Sequence, residues 1–270
     1  AFVEKLDDIF EVQSDVAEVV ANELKSSLDP GESKKLKEKP TKNLEAYDLY
    51  LQGRALRQRQ TEQSLKQAVD FLRAAIARAP EFARAHAALG EVRAVQGFYE
   101  FVAPREAFPE AASAAEAALH LDPNDAPAAA TRAYVSLYFD WDLPRAEREF
   151  VRAIALDPNA AIAHQWYGNY LTVVQRWDDA ERELYRALQL DPVAPVRHAV
   201  QVWGQHHRGD HARAVQTFGR VTSFDSTYAL TFQWGAEALE QLGRLDEAIA
   251  ALEWAATLSN RGAIFVAALA

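Results

Sequence analysis

Along residues 161–192 the apolar positions fall into two blocks. His164, Tyr167, Gly168 and Leu171 recur at helical spacing, a polar break follows at Gln175-Arg176, and Ala180, Leu184, Ala187 and Leu188 form a second stripe. This spacing predicts two amphipathic helices joined by a short turn. Pro192 ends the second helix, and Asp178-Asp179 opens it with carboxylates that suit the positive end of the helix dipole. Tyr167, Leu171, Trp177 and Leu184 are expected to pack between the helices. Gly168 is expected where the two helices approach closely, with Ala180 opposite, because a larger side chain would overpack by roughly 1–3 kcal/mol.

The same pattern recurs. Ala180, Ala214 and Ala248 are 34 residues apart, as are Leu184, Phe218 and Leu252, and Ala187, Val221 and Ala255. "AEREFVRAIALDP" (146–158) and "AERELYRALQLDP" (180–192) are near copies, and residues 111–123 and 68–80 share their frame. The step from Pro123 to Pro158 is 35 residues and that from Pro80 to Pro123 is 43, which assigns the excess residues to turns, the longer within 98–110, where two prolines interrupt helix. Gly168 is matched by Val202, Ala236 and Ala270, so the chain is expected to stop inside a further copy. Periodicity of this kind predicts a stack of helix pairs with turns near 57–65, 97–110, 139–144, 174–178, 207–211 and 241–245.

The arrangement resembles the tetratricopeptide repeat (TPR), whose first helix carries an aromatic, Leu-Gly and an aromatic, and whose second carries Ala, a large apolar residue, Ala and Pro. His164 and Leu171 stand where that family prefers aromatics. The resemblance covers about six copies and implies an all-α, right-handed superhelical solenoid over residues 44–270, its last repeat truncated. Before it, residues 7–28 predict one amphipathic helix with Ile9, Phe10, Val12, Val16, Val20 and Leu24 near one face. Residues 29–43 then break helix and carry Lys34, Lys35, Lys37, Lys39 and Lys42 among Glu32 and Glu38, which reads as a solvated linker. Residues 1–43 are thus expected to be the end of an upstream domain.

"DDIFEVQSDVAEVVANEL" followed by "PTKNLEAYDLYLQGR" also resembles the junction in bacterial multidomain signalling proteins where a TolB-like domain meets a TPR array. Such arrays sit behind nucleotide cyclases, Ser/Thr kinases or winged-helix domains. The resemblance implies a non-catalytic, cytoplasmic C-terminal module for protein interaction, without cofactor.

Composition removes several alternatives. The chain has 270 residues, is 49% hydrophobic and 25% charged, and holds no apolar run long enough to span a bilayer. It contains no cysteine, which excludes disulfides, thiolate metal sites and a cysteine nucleophile. A net charge of −10 argues against nucleic-acid binding by this segment. It also contains no methionine and opens at Ala1 without a signal pattern, so an internal piece of a longer protein is expected.

Candidate chemistry is sparse. His206, His207, Asp210 and His211 form a cluster of metal-ligand types, yet in the repeat frame they span a turn, with His211 in the packing place of Trp177. Catalysis would require Asp178, His198 and His206 to converge across separate repeats, and no Walker loop, GxGxxG, HExxH or GxSxG occurs. No catalytic, cofactor or metal site is therefore assigned.

A binding groove is assigned instead to the concave face lined by first helices. Its inward positions include Arg84 and Glu91, and the partner site proper is placed on Gln165, Asn169, Thr172, Trp203, His206, Gln233, Glu237 and Gln241. Gln165 stands where the lysine of a carboxylate clamp would be, so binding of chaperone tails is not implied. Trp203 is either an aromatic anchor or a filler beside Val202. Two functions follow: a scaffold holding a protein or peptide in an open groove, or a sensor closing on a small ligand in a deep pocket. The truncated end, with Ile264, Phe265 and Leu269 covered on one side only, offers a surface for self-association.

Overall fold

The computed structural model describes Val19, residues 40–260 and residues 262–268. The amphipathic helix expected over 7–28, most of the lysine-rich linker, Leu269 and Ala270 lie outside the described residues.

Among the described residues the chain forms six helix pairs and one short helix, with no strand. The pairs are α1 (Leu44–Arg57) with α2 (Glu62–Arg78), α3 (Ala83–Phe98) with α4 (Pro104–Leu121), and α5 (Ala126–Tyr138) with α6 (Leu143–Leu156). They continue with α7 (Ala161–Val173) and α8 (Trp177–Leu190), α9 (Pro195–His207) and α10 (His211–Phe224), and α11 (Ala229–Gln241) and α12 (Leu245–Leu258). The short α13 spans Ala263–Ala267. Each helix packs on its partner, and the first helices also pack on one another along the array.

Local chemistry accounts for the boundaries. Asn43, Asp125, Asp142 and Asp210 cap α1, α5, α6 and α10 by accepting a backbone N–H bond, and Thr61 with Ser64 forms a reciprocal capping box at α2. The turns close through left-handed backbone: Gln60, Trp141, Gln175, Gly209 and Gly243 all have positive φ. No helix runs through Gly209 or Gly243, and every expected turn is present. Phe150, Leu65, Leu72, Leu171 and Leu184 are fully buried between helices, each Leu stabilising the stack by about 1.5–3 kcal/mol.

Three details differ from the sequence reading. The nine-residue excess between Pro80 and Pro123 lies mostly in helix: α3 has 16 residues and α4 has 18, against 13 and 14 in α7 and α8. Pro104 starts α4 and Pro109 sits inside it, so neither proline interrupts a helix. Pro109 is tolerated in the second turn, where only the bond to the Arg105 carbonyl is forfeited. The second detail concerns the close approach at Gly168, which is answered by Leu184 rather than Ala180: a Cβ there would lie 2.7 Å from Leu184 Cδ2. In the third, Phe265 is 2% exposed and belongs to the main core, so α13 covers that ring within the chain, while Ile264 is half-buried.

Candidate ligand-binding cavity

The first helices face inward, and the array curls until its far end meets its beginning. The loop before α11 places the Tyr228 hydroxyl against the Tyr99 hydroxyl at the end of α3. Both hydroxyls also lie 2.9 Å from Gln60 Oε1 in the turn after α1. Burial pushes the pKa of both phenols far above the usual tyrosine range, so they remain protonated donors. This seam joins residues 168 positions apart and closes the concave face.

Behind the seam is a cavity of about 350 Å³. All six first helices contribute to its wall, through Arg57, Phe98, Tyr134, Gln165, Arg197 and Trp234 among others. Its aromatic side is continuous: Tyr134 and Trp166 have ring centroids 4.3 Å apart, Phe98 meets Tyr138 edge-on at 5.3 Å, and Trp203 lies 6.1 Å from Trp234. Burial likewise raises the Tyr134 and Tyr138 phenols.

Three guanidinium groups line the polar side, exposed Arg59 at its edge and Arg57 and Arg197 further in. Arg197 is 7% exposed, donates to Gln165 Oε1, and lies 3.4 Å from Asp191 Oδ2. Burial pushes its pKa down to about 10, still charged at neutral pH. Arg57 pairs with Glu91 at 3.0 Å. The Asn169 amide lies against the Tyr138 hydroxyl. Three buried polar atoms on this wall have no hydrogen-bond partner, Asn169 Oδ1, Arg197 Nε and Arg57 Nε, the last close to the Glu91 carboxylate. Arg57 and Gln58 also line a second, polar hollow of about 300 Å³, together with Arg84, Glu91 and Asp125.

Of the eight groove residues assigned from sequence, Gln165, Asn169 and Trp203 line the cavity. Thr172 is buried between α7 and α8, its hydroxyl donating to the Gly168 carbonyl. The His206 ring meets His207 edge-on and lies tilted against His211, and burial lowers its pKa to about 4. Gln233 donates to Glu237 on α11, and Gln241 is exposed at the end of that helix.

The other candidates have structural partners. His198 Nε2 contacts the Pro192 carbonyl at 2.8 Å, and His86 and His164 make the same contact with Pro80 and Pro158. Asp178 pairs with Arg208 at 2.9 Å, and Asp179 is held below the usual carboxylate range by Arg176 and Arg182. Among the described residues no group of three or more His, Cys, Asp or Glu is placed to hold a metal ion. None of their helices is long and apolar enough to cross a membrane.

Some cavity residues were readable in the repeat frame. Tyr134 occupies the position of Asn169 and Trp203, eleven residues after its proline. Phe98 and Tyr99 were not readable, because they ride on the extra helical length of α3. Arg197, Gln60 and Tyr228 carried no local signal.

No family model matches the chain, and no curated protein matches it. Solved structures do. A tetratricopeptide repeat protein from Parabacteroides merdae superposes with a TM-score of 0.60 at 15% identity, covering 99% of this chain and 97% of that one. Yeast Tom70 gives 0.57 at 16% identity over 85% of this chain, which spans about half (49%) of Tom70. PilW, a type IV pilus biogenesis factor, gives 0.57 at 18% identity, covering 84% of this chain and 100% of that one. The fold is that of a TPR array.

Proposed function

We propose that this TPR array is a ligand-sensing module, non-catalytic itself, that binds a small molecule or the end of a peptide in its closed concave cavity. One observation carries the reading: the Gln60, Tyr99 and Tyr228 seam encloses an aromatic space of about 350 Å³, within the range of small-molecule sites. A groove serving only an extended partner has no need of such closure. A second reading, a partner segment entering along the polar hollow beyond Arg57, is favoured by the two wall residues, Arg57 and Gln58, that the hollow shares with the cavity. In both readings the module serves an upstream effector of the cyclase, kinase or winged-helix kind, which rests on the resemblance of residues 7–24 and 40–54 to signalling-protein junctions.

A panel of small polar and aromatic compounds, screened by thermal shift, tests the first reading. A true ligand at about one hundred times its Kd stabilises the fold by roughly 2.7 kcal/mol. That gain is expected to vanish in Trp203→Ala. A partner peptide whose affinity is untouched by Trp203→Ala and Asn169→Leu, with no stabilising small compound, would remove the cavity from the function.

A further inference from the structure

The cavity wall carries more information than its volume. Of the three guanidinium groups on the wall, half-buried Arg57 has Glu91 and buried Arg197 has Asp191, while Arg59 is exposed at the edge. A ligand carboxylate buried beside Arg197, away from Arg59, would therefore have to share that cation with Asp191, and burying an incompletely paired charge is unfavourable. Where α7 meets Arg197, the wall lacks hydrogen-bond partners for one acceptor and one donor. Asn169 Oδ1 is an acceptor without a donor, and Arg197 Nε is a donor without an acceptor. The two sites adjoin, since Arg197 is bonded to Gln165, one helical turn before Asn169 on α7.

Resting on the cavity reading above, we infer that the ligand is an uncharged aromatic compound bearing a carboxamide or an equivalent adjacent donor and acceptor. Its carbonyl accepts from Arg197 Nε and its N–H donates to Asn169 Oδ1. If the Asn169 amide is turned over, a carboxamide still satisfies it, because it presents both functions. The ring lies against Trp166, Tyr134 and Trp203, whose faces supply the apolar contact. An ionised analogue of the same shape supplies no N–H for Asn169 and sets a charged oxygen against its unpartnered carbonyl oxygen.

Calorimetric titration of the full 270-residue chain with indole-3-acetamide and indole-3-acetate separates these cases, since the probes share a ring and differ in the polar group. Indole-3-acetamide is expected to bind about tenfold or more tightly, the equivalent of roughly one buried hydrogen bond. Asn169→Leu combined with Tyr138→Phe, which leaves no unpartnered hydroxyl behind, is expected to abolish that preference while staying folded in thermal melts. Equal or tighter binding of the acetate overturns the inference and leaves the cavity reading intact. Failure of both probes at millimolar concentration also overturns it, whereas the cavity reading falls only if the wider compound panel stabilises nothing.

Discussion

Replacing Tyr228 by Phe, alone and with Tyr99→Phe, tests what holds the two ends of the array together. The seam contains three close oxygen contacts, among Tyr99, Tyr228 and Gln60 Oε1, but only two phenolic protons, and the Gln60 carbonyl oxygen can only accept. At most two of the three contacts are hydrogen bonds. Tyr228→Phe removes one and leaves the bond from Tyr99 to Gln60, so a loss of about 0.5–1.5 kcal/mol is expected. The double variant removes the second bond, and about 1–3 kcal/mol is expected in all. Ring packing survives both changes, including the stack of residue 99 on Phe101 with centroids 5.2 Å apart. For a chain of this size each kcal/mol lowers Tm by about 2–4 °C. Thermal melts give the stability, small-angle scattering gives the radius of gyration, and acrylamide quenching reports access to Trp166, Trp203 and Trp234. The double variant should expand and quench more readily. If it melts at the wild-type temperature with unchanged scattering and quenching, the hydroxyls do not close the array and the reasoning fails.

Other substitutions probe the supporting structure. Gly168→Ala drives a Cβ to 2.7 Å from Leu184, and destabilisation of about 1–3 kcal/mol is expected by denaturant titration. Gln175→Gly should stabilise by about 1 kcal/mol, since Gln175 holds a φ of +61° in a turn whose counterparts are Gly209 and Gly243. Burial raises the Asp125 carboxyl to about 6 against 3.8 in the unfolded chain, so the stability tied to its neutral form is complete below 3.8 and lost as pH rises through 6. Asp125→Asn keeps the cap to the Ala128 N–H and should gain about 1–3 kcal/mol at pH 7, a gain that melts recorded from pH 7 towards 4 should show shrinking.

The fold was legible because a 34-residue period repeats a local code that each helix pair obeys. Ala180, Ala214 and Ala248 mark the second helices, and Gly209 and Gly243 mark turns that demand left-handed backbone. The site was legible only where it keeps that period, as at Asn169 and Trp203. Glu237 shares their register but lies outside the cavity wall, because the array has by then curled past it and Trp234 points in instead. Phe98 and Tyr99 depended on whether nine extra residues became loop or helix, and the two prolines favoured loop. Arg197 follows the helix-starting Pro195 and reads as solvent-facing until Gln165 and Asp191 are found around it. The seam joins residues with no shared motif, so only the accumulated curvature of the array reveals it.

Closure also changes what kind of object the array is. In an open stack each pair touches only its neighbours, so pairs can be gained or lost in evolution with little effect on the rest. Here the number of pairs sets where Tyr228 arrives, and it must arrive at Gln60. Adding or deleting one pair between them would carry the end past its partner and uncover the cavity. The seam thus constrains copy number, and descendants of this sequence that keep the seam should vary in side chains and in outward-facing loops while holding constant the number of pairs from α1 to the start of α11.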